Sequence, residues 1–480
     1  MSSSQRPLPK SILVIGGGPA GLVTLRNLLE RSNGAFEKVE LVERRDRIGG
    51  VWCRDEDQDE ETIATNTTLK PQWPTPSSPE LTNISSVGFN GERLSGAETG
   101  EYMRKFGEEY VAKGVVRLNV EVVSIEELVT TDESKAGGWK VKLRDWSDVD
   151  EMDEIKMTEE IWDAVVVCAG FYDRPHWPKT EGLNEAKRRG LALDGRWWSP
   201  AEADAYKGKK AVIIGNRHSS SLIATELGKV TDQPVYISSS SYSSSNNAQD
   251  RSSKVHYVGR VLKYILQPPH ETDQGSILER LTVIFDSGEE IKDVDLVIHA
   301  TGYYPHPDFV HVRALPQSTP SSSHLVPLTS YSSPLRPHHR RIPFLHAHIL
   351  YAYNPSLAFI GHILALEPFA FANVASTWLS LAWSGQLGTD AYPDDVQSRL
   401  KTDEDRMKEV ERLAVELAGE GELVTYTFFG PSSEAAYLSS LVSSSGGVLP
   451  VSREELEEKM RVVFNGSSPE AVHWARAVCV

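Results

Sequence analysis

Cysteine is scarce in this sequence: Cys53, Cys168 and Cys479 are the only three in 480 residues. They lie far apart with no CxxC or Cys/His spacing, which excludes a disulfide scaffold and a finger-type metal site. Positive charge is also in deficit, with 50 Lys and Arg against 67 Asp and Glu, a net charge of -17. Nucleic acid is thereby excluded as a partner, since phosphate recognition needs clustered cations, and an anionic membrane surface is disfavoured. Long uninterrupted apolar runs are missing too. The most apolar stretch, "PSLAFIGHILALEPFAFANVASTWLSLAW", is broken by His362, Glu367, Pro368 and Asn373, so it reads as buried core and not as a membrane span. The opening "MSSSQRPLPKSILVIGGG" reaches a strand without the apolar run of a secretory leader, and a cytoplasmic, reducing location is the expectation.

What is present is a globular composition, 40% hydrophobic and 24% charged, in a length suited to several domains of about 100–200 residues. Residues 11–52, "SILVIGGGPAGLVTLRNLLERSNGAFEKVELVERRDRIGGVW", run strand, glycine turn, amphipathic helix, second strand and acid, the length of one βαβ unit. Gly16 permits the tight turn, Gly18 lets the backbone approach a pyrophosphate, and Gly21 lets the helix pack close to the strand. The phosphates then sit at the helix N-terminus. Glu43 ends the second strand, placed to accept hydrogen bonds from a ribose.

Beyond Glu43, "RRDRIGGVW" adds a glycine pair and an aromatic that NAD binding does not require. Here the chain resembles the two-dinucleotide flavoprotein oxidoreductases, and among them the flavin-containing monooxygenases. The resemblance implies that Gly16, Gly17, Gly18, Pro19, Ala20 and Gly21, with Glu43, Gly50, Val51 and Trp52, line FAD. "TIATNTTLKPQWPTP" is similar to the family's loop beside the flavin ring, with Thr65, Asn66 and Thr67 at the cofactor and Asn66 as the catalytic amide. The strand in "VVRLNVEVVSIE" resembles the segment that brings a backbone group near Val122 against the adenine. "IWDAVVVCAGFYDRPHWP" supplies a strand end at Ala169 and Gly170, and "DVDLVIHATGYYPHPDF" another at Thr301 and Gly302.

Between these two strand ends lies a second βα unit, "KKAVIIGNRHSSSLIATELGKV". Its turn keeps Gly215 but carries Arg217 and Ser220 at the later glycine positions. Ser219, Ser220 and Ser221 hydroxyls with the helix amides still suit a pyrophosphate. The family's Phe-x-Gly-x-x-x-His fingerprint is absent: Leu193, Gly195 and Ser199 stand in register. The strand "PVYISSSS" ends in serine where the family often shows an arginine for a 2′-phosphate, leaving Arg217, Arg251 or Lys254 as the replacement charge.

The remaining segments read more plainly. Residues 126–160 are charged and predict a surface hairpin, and "LPQSTPSSSHLVPLTSYSSPLRPHHRRIPF" predicts a surface excursion whose His338 and His339, with the nearby His346, are exposed. Asn373 and Ala375 stand where the family commonly has an acid and a glutamine. Residues within 394–420 predict a helix with a charged face.

The expected architecture is α/β, with two doubly wound dinucleotide-binding (Rossmann-like) domains. A flavin domain spans 10–174 and 299–480, the latter with C-terminal helices, and a nicotinamide domain at 175–298 is inserted in it. The resemblance implies FAD and NADPH as cofactors and a cycle in which NADPH reduces FAD and O₂ adds at flavin C4a as a (hydro)peroxide. One oxygen atom then passes to a small molecule, most directly at a nucleophilic nitrogen or sulfur. Baeyer–Villiger attack on a ketone, and an oxidase or dehydrogenase with little nicotinamide use, stay open. A FAD-bearing scaffold is disfavoured by the intact "TNTTLK" and "ATGYYP" elements. The expected partners are the substrate and O₂, with a homodimer left open.

Overall fold

Short aliphatic runs without polar alternation, SILVI, AVVV and LAF, demand strands buried on both faces. In the computed structural model of the chain they become the neighbouring parallel strands Ser11–Ile15, Ala164–Val167 and Leu357–Phe359. The structure describes residues 8–52, 86–87, 93–94, 96–128, 137–147, 155–170, 174–198, 205–215, 218–239, 254–271, 277–304, 307–315, 324–332, 341–365, 368–416, 425–427 and 431–445. These three strands are the centre of a seven-stranded sheet. It continues through Lys38–Val42 to Val116–Arg117 on one side, and through Leu350–Tyr351 to Leu345–His346 on the other.

Helices Pro19–Glu30 and Pro368–Trp383 cover one face of this sheet, sharing a core that includes Ile12, Val14, Leu22, Leu28, Trp378 and Leu379. The interrupted apolar stretch is therefore buried by protein. Asn373 clips the two helices together, accepting from Arg26 Nη2 at 2.7 Å and from Asn27 Nδ2 at 3.1 Å. Among the described residues, no helix is long and apolar enough to cross a membrane.

The opposite face carries a five-stranded sheet, in the order Leu325–Pro327, Val310–Arg313, Val120–Glu127, Trp139–Asp145, Lys156–Trp162. The hairpin expected at 126–160 is present, as Trp139–Asp145 paired antiparallel with Lys156–Trp162, but it is part of this sheet and not a surface insertion. Trp139, Val141 and Leu143 point inward, with Trp139 and Trp162 fully buried against Leu13 and Val165. Lys140, Lys142 and Arg144 alternate with them on the more open face, which is why the segment reads as charged. The polar excursion is likewise corrected in part: Leu328 and Ile342 join the same core. His346 is buried, with Nε2 3.1 Å from the Ala391 carbonyl oxygen, because its strand is the sheet's edge beneath the Tyr392 loop. His338 and His339 lie outside the described residues.

A second parallel sheet repeats the plan: Ala192–Asp194, Leu296–His299, Ala211–Ile214, Val235–Ser238, Val255–Val258. Helix His218–Val230 packs on one face, and the antiparallel strands Val261–Leu266, Leu281–Phe285 and Glu290–Val294 on the other. Two chain crossings lead into and out of this unit side by side. They are joined by His176 N–H donating to the Gly302 carbonyl at 2.7 Å and Tyr304 N–H to the Arg174 carbonyl at 2.8 Å.

Candidate active site

The first glycine turn is built by close backbone contacts. Gly16 has φ +107, and a Cβ there would lie 2.7 Å from the Cys168 carbonyl oxygen. A Cβ on Gly21 would fall 1.7 Å from the Gly16 oxygen, so both positions are fixed as glycine by the fold itself. Gly18 differs. Its φ of -78 suits any residue, and the nearest atom to a Cβ there, Gly50 Cα, is 3.5 Å away. Nothing in the protein's own packing calls for glycine at this position, which fits a group that the main chain must approach.

Pro19 opens the helix and no side chain caps its N-terminus, so the first-turn amides have no side-chain acceptor of their own. Gly50, at φ +61, presses against Gly18 and continues into Val51 and the buried Trp52. Glu43 closes the far side: its carboxylate accepts from Gly17 N–H at 2.5 Å and Arg45 N–H at 2.9 Å. A carboxylate has lone pairs to spare beyond these two bonds.

Next to the turn, sharing Ala169 with it, lies a cleft of about 450 Å³. Val122, Ala169 and Gly170 line it together, with Val167, Phe309, Ile342, Phe359 and His362 among the other walls. Arg174 and Asp308 form an ion pair among its lining residues. Of these, Phe309, Ile342 and His362 carried no signal in their own residue types. Thr301 and Gly302 are elsewhere. They hold the crossing segments, with Thr301 Oγ1 donating to the His176 carbonyl. Thr65, Asn66 and Thr67 lie outside the described residues. Cys168, beside the turn, is an inert thiol whose pKa burial pushes up to about 12.

The second turn reproduces the first at its base. Gly215 has φ +132, its Cβ would lie 2.5 Å from the Ala300 carbonyl oxygen, and its N–H donates to the Ser238 carbonyl at 2.9 Å, as Gly16 N–H does to Val42. Ser220 then sits fully buried at the counterpart of Gly21. Ser219 and Ser221 are exposed, and Arg217 and Arg251 lie outside the described residues. The counterpart of Glu43 is Ser239: each follows the second strand and donates its N–H to the next strand over. Lys254 does not stand at this edge. Its Nζ donates to the Gly228 and Thr231 carbonyls at 3.3 and 3.0 Å, at the opposite end of the helix.

Two glycine turns of this kind, each following a central parallel strand and opening a helix, define a two-dinucleotide flavoprotein oxidoreductase. Residues 9–258, over half of the chain, match the family described as flavin-binding monooxygenase-like, and the chain belongs to that family. The chain is 26% identical over 418 residues to flavin-containing monooxygenase FMO GS-OX-like 9 of Arabidopsis thaliana, covering 83% of this chain and 80% of the relative. Among solved structures, S-allyl-L-cysteine S-oxygenase from Allium sativum superposes with a TM-score of 0.63 at 19% identity, covering 97% of this chain and 98% of that one. Tmm from Pelagibacter superposes at 0.64 and 16% identity, over 94% and 89% of the two chains. The protein is thus an enzyme, a flavin-dependent monooxygenase, and the family's cofactors are FAD and NADPH.

Proposed function

We propose that this chain is an NADPH-driven monooxygenase that transfers one oxygen atom from O₂ to a nucleophilic nitrogen or sulfur of a small molecule. The observation that carries the reading is Gly18, an open glycine at an uncapped helix start, set beside a cleft of ligand size. FAD, when bound, supplies the activation of O₂ that no side chain performs. The chain's own residues then bind and shield. Main-chain amides of Ala20 and Gly21 with Pro19 at the helix start receive the pyrophosphate, Glu43 accepts from the ribose, and Gly50, Val51 and Trp52 cover the turn. Val122, Ala169 and Gly170 flank the same cofactor, while Val167, Phe309 and Phe359 keep water from the cleft.

In this reading residues 175–298 are the nicotinamide unit, inserted in a flavin unit of 10–174 and 299–480. Gly215 and the Ser219, Ser220 and Ser221 hydroxyls hold the NADPH pyrophosphate, Arg217 meets its 2′-phosphate, and Thr301 and Gly302 fix the crossing that joins the units. Sulfur as the target is supported by the Allium neighbour, an S-oxygenase.

Asn66 is the catalytic amide of this proposal, its donors and acceptor serving flavin and nicotinamide together, with Thr65 and Thr67 beside it. Asn66→Ala is expected to keep FAD yet consume NADPH with H₂O₂ release in place of sulfoxide or N-oxide. Product yield per NADPH, measured with a dialkyl sulfide and a tertiary amine, checks this; full coupling in the variant removes Asn66 from the mechanism. A wild type that converts only ketones overturns the nitrogen or sulfur assignment.

A further inference from the structure

The two units of this chain are joined without being merged. Among the described residues no sheet spans both, and the four apolar cores divide cleanly: two lie within residues 12–168 and 309–442, and two within 177–300. Units that share no large apolar interface move relative to one another unless something else fixes them. What joins these two is the pair of crossings.

The crossings form a short ribbon, in which Pro175 and Tyr303 make an antiparallel bridge flanked by the two main-chain bonds described above. Its far end is rooted in the second unit. Trp177 lies 4.8 Å from the His299 ring and packs on that unit's core, and Tyr303 O–H donates to Asp194 at 3.3 Å. The near end is tied differently. There Arg174, on the incoming chain, pairs with Asp308, on the outgoing one, and its guanidinium stands 6.0 Å from the centre of the Tyr304 ring. Immediately after Asp308, Phe309 and Val310 enter a flavin-side core. The ribbon therefore moves with the second unit, and bending falls at the Arg174–Asp308 end. Both side chains of the pair are half exposed, at 50% and 52%, so the fold itself gains little from it.

We propose that Arg174 and Asp308 are positioning residues for the reduction of FAD by NADPH, an ionic latch that binds the two crossings into one stiff arm and holds the second unit at the angle from which reduction occurs. The inference rests on the reading of residues 175–298 as the nicotinamide unit and of the cleft as the flavin site. Arg174, Tyr304 and Asp308 all line that cleft, so the arm is fixed where it meets the flavin side. An exposed pair biases an equilibrium by about 2- to 5-fold, which is too little to hold a fold together and enough to favour one of two orientations. Such a pair is also screened by salt.

Anaerobic stopped-flow of the holoenzyme with saturating NADPH reads the rate of flavin reduction apart from nucleotide affinity. Arg174→Gln and Asp308→Asn are each expected to lower that rate about 2- to 5-fold. Dithionite, which reduces flavin without the nicotinamide unit, is expected to act on them as on the wild type. At about 1 M salt the wild-type rate is expected to fall to that of the single variants, which themselves change little. Arg174→Asp combined with Asp308→Arg is expected to restore both the rate and its salt dependence. Wild-type rates in the single variants, or a charge-swapped protein no faster than they are, overturn the latch. So do single variants that move in opposite directions, the mark of two charges acting on the flavin directly. A wild type whose flavin is reduced by dithionite but by neither NADPH nor NADH overturns the nicotinamide reading as well.

Discussion

At the scale of single residues, the glycines of the first turn separate into those the fold needs and one the ligand needs. Gly21 has no room for a methyl group, with the Gly16 oxygen 1.7 Å from where a Cβ would be, so Gly21→Ala is expected to destabilise the protein itself. Gly18→Val, at φ -78 with open space, is expected to fold with near wild-type thermal stability but without yellow colour, because the side chain occupies the space reserved for the pyrophosphate. Absorbance of the purified variants and their thermal midpoints distinguish the two effects. A flavin-loaded Gly18→Val protein would remove Gly18 from the cofactor's path.

At the scale of elements, the two βα units share a base and differ at the rim. Gly16 and Gly215 make the same contact with the end of the neighbouring strand, whereas Glu43 is replaced by Ser239 and Gly21 by Ser220. A turn without the carboxylate spares a 2′-phosphate from repulsion, and Arg217 is the charge proposed to meet it. Arg217→Ala is expected to weaken NADPH by about 1.5–3 kcal/mol with little change for NADH, as for a charge-assisted hydrogen bond. Lys254→Ala, in contrast, removes a cation from the helix C-terminus and is expected to cost about 1 kcal/mol of stability with an unaltered NADPH to NADH preference. Flavin reduction rates against each nucleotide measure both, and equal losses for the two nucleotides in Arg217→Ala exclude the 2′-phosphate role. These units were legible because their signal is local: strand, glycine and helix fall within a few turns of chain. The antiparallel sheet over 120–162 was not, since its tryptophans are brought against Leu13 and Val165 by tertiary contact while its charges dominate the composition. His362 escaped for the same reason. Its ring is anchored by the His348 carbonyl, a contact that only the fold supplies.

At the scale of the whole molecule, both units bury imidazoles at or beside the strand ends where their cofactors are proposed to lie. His299 ends the strand of the second sheet that lies between Ala192–Asp194 and Ala211–Ile214, packed against Trp177, and burial, aided by Lys187, lowers its pKa from 6.5 to about 3. His362, at about 4, lines the cleft, and His348, whose carbonyl anchors that ring, is also driven well below 6.5 by burial. Each ring stays neutral in the fold but takes up a proton near pH 6.5 once the chain unfolds. Between that value and its folded value the unfolded state holds more protons, so stability falls as pH falls. For His299 and His362 the loss is about 2 kcal/mol each at pH 5, a large share of an ordinary domain's stability, with His348 acting in the same direction. Asp194, whose carboxyl burial pushes up, opposes this only where it begins to take up its own proton. The enzyme is therefore expected to unfold at markedly lower urea at pH 5 than at pH 7.5, and His299→Phe is expected to flatten that difference by its own share. Equal urea midpoints at the two pH values would show that these imidazoles are not held neutral by the fold.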